Sequence, residues 1–244
     1  MKTKSKKSPQ EKLKLTWYGH SAFLMQAPGG KAVLVDPWLD NPKAPAGAKD
    51  IADVDLILIT HGHSDHVGNC VEVAKRTSAK VVSIYEICLY MQSQGVAGAQ
   101  GMNKGGTMGV DGIQVTMVNA LHSSDLDVGG AVVPGGEAAG FVIEFENGFK
   151  VYHAGDTAVF GDMKLIANLY KPQLALLPIG GLYTMGPREA AYACGLMRPR
   201  YIIGMHYGTF PVLTGTPGEL KKYLPPPLRK NVRELEPGQM MSIA

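Results

Sequence analysis

The residues of this sequence that are best suited to metal binding are concentrated in one short stretch. His61-Gly62-His63-Ser64-Asp65-His66 places three histidines and an aspartate within six residues. The stretch follows a β-branched, apolar run, Val54–Thr60, that we predict to be a buried strand. Neutral imidazole and carboxylate groups are ligands of zinc and similar divalent cations. The cluster therefore indicates a metal site where this strand ends.

Three further candidate ligands each follow an apolar segment that is predicted to be a strand. They are His122 after residues 113–121, Asp156 after residues 150–155 and His206 after residues 201–205. Because ligands gather at the carboxyl ends of strands in sheets flanked by helices, we expect these side chains to meet the first cluster. A buried carboxylate without a cation or a hydrogen-bond partner costs several kcal/mol. Two carboxylates among these histidines are therefore typical of a site with one or two cations.

The cluster and several other stretches resemble the metallo-β-lactamase superfamily. Residues 60–66 match its H-x-H-x-D-H signature, and the resemblance extends to a family of uncharacterised metal-dependent hydrolases related to the ascorbate-phosphate lactonases. The similarity covers about residues 13–225. The other matching stretches are Tyr18–Phe23, Val35–Pro37, Tyr152–Thr157, Leu177–Gly180, Thr184–Pro187 and Met205–Pro211.

The resemblance implies an α/β fold, a four-layer αββα sandwich, with a binuclear metal site at one edge. It implies two divalent metal ions, with zinc as the first expectation and manganese, iron or nickel also compatible with nitrogen and oxygen ligands. By matching position, the first metal would be held by His61, His63 and His122. The second would be held by Asp65, His66 and His206, and Asp156 would bridge the two.

The activity implied by the resemblance is that of a metal-dependent hydrolase acting on a small ester, lactone or phosphodiester. A metal-bound hydroxide would attack the substrate, because a metal lowers the pKa of its bound water toward about 7. Asp65 and Asp156 are the predicted catalytic residues, orienting the hydroxide and accepting its proton. Gly181 is a departure, because relatives usually carry Asp after Pro-Ile-Gly. The resemblance therefore implies that a polar group near the substrate is missing here.

Three residues outside the ligand set are candidates for the substrate side of the site. His20 lies in a predicted turn between two strands, His153 lies inside a predicted strand, and Thr184 follows the apolar run 174–179. Each histidine is expected to contact substrate or to support a metal ligand, with core packing left open as an alternative. Asp36, which follows an apolar run, is expected to fix a turn or to orient a ligand histidine.

Two other activities stay open at this point. A nuclease is an alternative because the superfamily includes such enzymes, but residues 15–244 carry a net charge of about −2 and only residues 207–244 follow His206. A mononuclear iron dioxygenase is another, because such enzymes share the histidine pattern. Diiron oxygen-reducing relatives carry Glu at the position of His63, which favours hydrolysis here.

Composition and charge restrict the class of protein. Hydrophobic residues make up 45% of the 244 residues, which indicates a globular chain, and no apolar run reaches the roughly 18 residues of a membrane span. Six of the first 14 residues are lysines, and no apolar stretch follows them as it would in a signal peptide. We predict a basic tail over residues 1–12 and a single metallo-hydrolase domain over residues 13–244.

The expected location and partners follow from the same composition. Three scattered cysteines argue against a disulfide framework and fit the reducing cytoplasm. The expected partner is a small-molecule substrate. Membranes are excluded, nucleic acid is disfavoured, and a homo-oligomer is left open.

Apolar runs that alternate with Gly, Pro and Asn turns predict sheets covered by helices. Residues 95–109 are predicted to form a loop, and residues 232–243 one or two closing strands. Asn147-Gly148 predicts a type I′ hairpin turn between residues 141–146 and 149–153. Helices are predicted after the histidine cluster and over Tyr85–Gln94, Met163–Tyr170, Pro187–Met197 and Pro217–Leu224.

Overall fold

The computed structural model describes residues 12–243, so the basic tail predicted over residues 1–12 lies outside the described residues except for Lys12. The strands are β1 (Leu13–Trp17), β2 (Phe23–Gln26), β3 (Ala32–Val35), β4 (Leu56–Leu58), β5 (Lys80–Ile84), β6 (Ala99–Met102), β7 (Thr107–Val110), β8 (Ile113–Asn119), β9 (Asp125–Val128), β10 (Ala131–Pro134), β11 (Ala139–Glu144), β12 (Lys150–His153), β13 (Leu174–Pro178), β14 (Tyr201–Met205) and β15 (Met240–Ile243). The helices are α1 (Ser64–Val67), α2 (Cys70–Thr77), α3 (Tyr85–Ser93), α4 (Met163–Tyr170), α5 (Pro187–Met197), α6 (Pro217–Tyr223) and α7 (Pro226–Arg229).

Two large sheets form the framework of the molecule. The first has the strand order β15-β1-β2-β3-β4-β5-β6, and the second has the order β14-β13-β12-β11-β8-β7. Strands β3, β4 and β13 are buried along their whole length, as expected for strands that are covered on both faces. Their buried side chains belong to a single hydrophobic core cluster that spans both sheets.

The ligand-bearing ends of the two sheets lie against each other. The backbone N–H of Ala139, at the start of β11, donates a hydrogen bond of 3.0 Å to the carbonyl of Thr60, just beyond β4. His153 at the end of β12 packs its ring 5.9 Å from that of Phe23 in β2. Because β12, β13 and β14 run parallel, their carboxyl ends reach the same edge. The loops after β4, β8, β12 and β14 therefore meet.

Helices follow the parallel strands of both sheets. In the first sheet α1 and α2 come after β4, and α3 packs on β5 and β6. In the second sheet α4, α5 and α6 follow β12, β13 and β14 and pack on one another. Proline at the first position of α5 fits a helix start, because proline lacks only an N–H that has no partner there.

The structure corrects two of the element predictions, the loop over residues 95–109 and the type I′ turn. Residues 95–109 contain β6 and β7, which the glycine-rich sequence does not suggest. Residues 232–243 contain one closing strand, β15, as predicted, and a single bridge between Ile202 and Val232. The hairpin between β11 and β12 is confirmed, but its turn is not type I′. Gly148 is in the left-handed region with φ 79° and Asn147 is not, and the Gly148 N–H donates to the Phe145 carbonyl at 2.8 Å. A turn of this kind needs only one left-handed residue.

Beside the two large sheets, β9 and β10 form a separate two-stranded hairpin. The hairpin is attached at its base to the histidine cluster, because Ser124 Oγ accepts the Gly62 N–H at 3.1 Å and donates to the Gly135 carbonyl at 3.1 Å. A two-stranded hairpin alone is marginally stable, so this attachment positions it over the 61–66 stretch.

Candidate metal centre

The carboxylate of Asp156 lies at the centre of the predicted ligand set. Its Oδ2 atom is 2.8 Å from Nε2 of His206, 3.3 Å from Nε2 of His66 and 3.7 Å from Nε2 of His122. The Nε2 atom of His61 lies 4.0 Å from the same oxygen. Asp156 therefore contacts residues of both predicted metal groups, as a bridging ligand must.

The remaining members of each group also converge. Donor atoms of His61, His63 and His122 lie within 4.8 Å of one another, and His61 Nε2 is 3.0 Å from His63 Nδ1. In the second group Asp65 approaches Nε2 of His66 to 4.0 Å and Nε2 of His206 to 3.9 Å. The structure thus brings together all seven side chains that the sequence singles out, from four different loops.

The loops that carry these residues turn sharply. Asp36, His20 and His206 have φ values of 47°, 50° and 55°, in the left-handed region that side chains with a Cβ rarely adopt. Such residues cluster at functional sites, where the surrounding structure holds them in place. The backbone N–H of His206 donates to the His20 carbonyl at 3.0 Å, which joins two of these turns.

Hydrogen bonds fix which ring nitrogen of two histidines faces the site. Asp36 Oδ2 lies 2.8 Å from His66 Nδ1, so this nitrogen carries the proton and leaves Nε2 free. The Thr60 hydroxyl donates to Asp36 Oδ2 and lies 3.0 Å from His61 Nδ1, which makes His61 Nδ1 the donor in that pair. The Nε2 atoms of both rings therefore lie on the side of Asp156, at 3.3 Å from its Oδ2 for His66 and 4.0 Å for His61. Asp36 therefore orients the candidate ligand His66, and that His66 binds a metal stays a prediction.

Charges within the site are strongly coupled. Burial lowers the pKa of His61 well below its usual value and keeps that ring neutral, the form that binds a metal. Burial opposes the charge of Asp156, but His66 and His206 outweigh it and hold the pKa of Asp156 well below its usual range. Burial also opposes a charge on His66, yet Asp156 and Asp36 raise its pKa well above the usual value. A bound metal cation would take the place of the extra proton that this raised pKa keeps on His66.

Several buried polar atoms in the site fit a metal ion. His66 Nε2, Asp156 Oδ1 and His206 Nδ1 are buried without a hydrogen-bond partner among the described residues. Leaving a buried polar group unpaired costs about 1–3 kcal/mol, and more for a charged one. Five imidazoles and two carboxylates around one small volume are the donor set of a divalent transition metal. The residues present therefore fit a pair of such ions.

The three substrate-side candidates have different positions. His20 is fully buried, with Nδ1 2.6 Å from the Thr209 hydroxyl and Nε2 3.1 Å from Asp65 Oδ2, so it holds Asp65 instead of facing a substrate. His153 is also fully buried, with Nε2 3.0 Å from the Ser21 carbonyl. Both histidines therefore lie behind the site. Thr184 is half-buried in the turn after β13 and stays a substrate-side prediction.

Sequence reasoning missed three hydroxyl residues that contact the candidate ligand stretch, residues 61–66, or His20 beside it. Thr209 contacts His20, the Ser123 hydroxyl lies 3.2 Å from His63 Nε2, and Ser124 joins the ligand stretch to the hairpin. A hydroxyl gives no local sequence signal for such contacts. For the hairpin a signal existed, because Gly129-Gly130 lies between the alternating segment 125–128 and the apolar segment 131–134.

Replacing Asp36 is expected to weaken metal binding without disrupting the fold. Asp36→Asn keeps the shape of the side chain and tolerates the left-handed backbone. However, asparagine has one acceptor oxygen, whereas Thr60 and His66 donate to both carboxylate oxygens of Asp36. Loss of a group that orients a metal ligand typically lowers affinity about 10–100-fold. Competition with a fluorescent zinc chelator measures the change. Unchanged affinity would contradict this role of Asp36.

A side chain at Gly62 is expected to separate the hairpin from the ligand stretch. A Cβ at this position would lie 2.6 Å from the carbonyl oxygen of Asp125, and backbone cannot yield as a flexible side chain does. We expect Gly62→Ala to destabilise the protein by about 1–3 kcal/mol, the usual cost of overpacking. Denaturant unfolding measures it, with Gly161→Ala as control because no atom lies within 4 Å of a Cβ there.

Comparison with known proteins places the chain in a family. The profile of the beta-lactamase superfamily domain matches residues 14–206, which is most of the chain. The chain belongs to this superfamily. It is 51% identical over 231 residues to a UPF0173 metal-dependent hydrolase of Koribacter versatilis, covering 94% of this chain and 98% of the relative. It is 52% identical over 212 residues to one of Rubrobacter xylanophilus, covering 86% and 88%.

A solved structure supports the same assignment. Igni18, described as a novel metallo hydrolase from Ignicoccus hospitalis, is 37% identical and superposes with a TM-score of 0.85, covering 96% of this chain and 99% of that one. The predicted α/β sandwich of the metallo-β-lactamase type is therefore confirmed, and the chain is a metal-dependent hydrolase. Within residues 12–243 there is no helix long and apolar enough to cross a membrane.

Proposed function

We propose that this superfamily member hydrolyses a small ester, lactone or phosphodiester at a binuclear centre, with zinc as the expected metal. The observation that carries the proposal is the position of Asp156, whose Oδ2 atom lies within 4.0 Å of ring nitrogens from both groups of histidines. His61, His63 and His122 would hold one ion. Asp65, His66 and His206 would hold the other, with Asp156 shared.

The metals would supply the nucleophile and the electrophilic assistance. Two such ions lower the pKa of a coordinated water toward about 7, polarise the substrate oxygen and stabilise the leaving group. In the overall reaction water adds across the acyl C–O or the P–O bond, so that the acyl or phosphoryl centre gains a hydroxyl and the leaving alcohol gains a proton.

The chain itself would orient water and accept the proton. Asp65 is 22% exposed, whereas Asp156 is buried, so Asp65 is the carboxylate that faces the cleft. His20 fixes Asp65 by donating from Nε2, and the pKa of His20 falls to about 4 because it is buried. A neutral His20 leaves the negative charge of Asp65 available to orient the attacking water and to take its proton.

The two alternatives gain less support from the site. A nuclease needs cationic side chains that follow a phosphate backbone. The cleft beside the ligands has no Lys or Arg among its described lining residues. A dioxygenase would differ in reaction class from the relatives, which are named metal-dependent hydrolases. We therefore place hydrolysis of a small molecule first, with the cytoplasm as its expected location.

The test is a substrate screen with metal analysis. The full chain is purified without chelator, its zinc, manganese, iron and nickel are quantified, and it is assayed with chromogenic esters, lactones and phosphodiesters. The proposal predicts turnover of at least one of these classes that falls on chelation. Turnover of none of them by protein carrying two metals, or an iron-dependent consumption of oxygen, would contradict it.

A further inference from the structure

A cleft of about 320 Å³ opens between the ligand stretch and the β9–β10 hairpin. On one side it is lined by the candidate ligands His63 and Asp65, and on the other by Asp125, Asp127, Leu126 and Val132 of the hairpin. The volume is at the small end of the range for ligand pockets, which suits a compact molecule. Anything that reaches the metal centre through this cleft must contact the hairpin.

The hairpin contributes both acidic and apolar residues to the lining of the cleft. Asp125 and Asp127 alternate along β9, and Val132 is the cross-strand partner of Asp127, so these three side chains lie on one face. Val132 is 76% exposed and therefore offers apolar surface next to the two carboxylates. Leu126 points to the other face, is buried and anchors the hairpin close to Gly62, so residues from both faces of the hairpin border the cleft.

Other loops at this edge also expose large apolar side chains. Leu121 directly precedes the candidate ligand His122, and Leu182 and Tyr183 lie in the turn after β13; all three are exposed. Both loops are held by Thr157, next to Asp156, because its hydroxyl accepts the Leu121 N–H at 3.0 Å and its carbonyl accepts the Met185 N–H at 3.2 Å. The surroundings of the site thus favour an apolar ligand.

On the hairpin side of the cleft, away from the cations that the metal centre would hold, the charge of the lining disfavours an anion. Its lining carries the carboxylates of Asp65, Asp125 and Asp127, and no cationic side chain among the described residues faces them there. A negatively charged substrate group placed beside the hairpin would meet two carboxylates at close range. Each unit charge at such distances changes the interaction energy by roughly 1 kcal/mol or more, depending on exposure.

We propose that the substrate is an uncharged ester or lactone whose apolar acyl or alkyl group lies against the β9–β10 hairpin. The proposal rests on the hydrolysis proposed above and narrows it, since it excludes phosphodiesters and carboxylate-bearing esters as preferred substrates. Val132 and the exposed leucines would contact the apolar group, while Asp125 and Asp127 would reject anions. Hydrolysis of such a substrate gives a carboxylic acid and an alcohol, or a hydroxy acid from a lactone.

The test compares two probes that differ in the terminal group of their tails, which is methyl in one and carboxylate in the other. Hexanohydroxamic acid and adipic acid monohydroxamate offer the same metal-binding group and the same six-carbon length, but the second ends in a carboxylate. Their dissociation constants for the two-metal protein are measured by calorimetry in low salt. We expect the uncharged probe to bind at least about tenfold more tightly, from two carboxylates of the hairpin acting together.

Two variants test whether the hairpin causes the difference in affinity between the two probes. Asp125→Asn/Asp127→Asn keeps shape and the acceptor that Asp127 Oδ1 offers to the Gly130 N–H, and it should reduce the ratio of the two dissociation constants at least about fivefold. Asp50→Asn/Asp53→Asn removes two exposed carboxylates before β4, at the strand end opposite the ligands, and should leave the ratio unchanged.

The outcomes separate this inference from the proposed function. Equal or tighter binding of the carboxylate probe, or a ratio that the hairpin variant does not change, would overturn the inference even if the protein hydrolyses esters. Absence of hydrolysis with the expected order of binding would overturn the proposed function and leave the ligand class supported. Failure of both probes to bind the metal-loaded protein would overturn the inference together with the metal centre on which it depends.

Discussion

Asp156→Ala is expected to lose both metal ions and at least about a thousandfold in kcat/KM. Because Asp156 Oδ2 lies between the two histidine groups, its removal takes a ligand from both ions at once. Metal assistance contributes several kcal/mol to transition-state stabilisation, and each 1.36 kcal/mol corresponds to a factor of ten in rate. Metal content per chain should fall from about two to below one, measured by mass spectrometry of digested protein.

The control for this variant is Asp53→Asn, at the opposite end of β4 from the ligand stretch. It changes an exposed carboxylate and should retain both metals and full activity. Circular dichroism should show the native secondary structure for both variants, since the buried core of the two sheets is untouched. An Asp156→Ala protein that keeps two metals, or that keeps full activity without them, would refute the bridging role.

Removing the metals from the wild-type protein is expected to abolish turnover and to lower the melting temperature by roughly 10 °C. A ligand present at about a thousand times its dissociation constant stabilises the folded state by about 4 kcal/mol, and a protein of this size shifts by about 2–4 °C per kcal/mol. The buried polar atoms of His66, Asp156 and His206 that have no hydrogen-bond partner would lose the metal that offsets the cost of burying them. Differential scanning calorimetry before and after chelation measures the shift.

Re-addition of metal separates this effect from damage by the chelator. Zinc added back in slight excess should restore both activity and melting temperature in the wild type. The Asp156→Ala variant should melt at the same temperature with and without zinc, because it holds little metal to lose. If the melting temperature of the wild type changed neither on chelation nor on re-addition of zinc, the protein would bind no metal that stabilises its fold.

The convergence of the candidate metal ligands could be predicted because histidine and aspartate are the residue types that bind such metals. A histidine or aspartate at the end of an apolar run has few structural roles other than binding a metal. The carboxyl ends of parallel strands lie at the same edge of a sheet, so such residues come together there. The segments 113–121 and 201–205 that precede His122 and His206 indeed contain strands, β8 and β14. The family resemblance already implied a bridging position for Asp156, but the distances from its carboxylate to the histidine rings required the structure.

Other parts of the fold depend on tertiary contacts that no local pattern encodes. Strand β6 carries Gly101 in a sequence that favours loop, and a Cβ there would lie 2.9 Å from Tyr85 of α3. The glycine is thus explained by the close approach of a helix, not by a turn. Similarly, His20 lies 45 residues from Asp65 in the chain, and only the folded molecule reveals that it holds that carboxylate.

The most direct test of the two-metal centre is an anomalous difference map from crystals grown with zinc, measured above and below the zinc absorption edge. We expect two peaks per chain, about 3.5–4 Å apart as in other two-metal sites. One should lie among His61, His63 and His122, the other among Asp65, His66 and His206, with Asp156 in contact with both. A single peak, or peaks away from Asp156, would contradict the bridged centre.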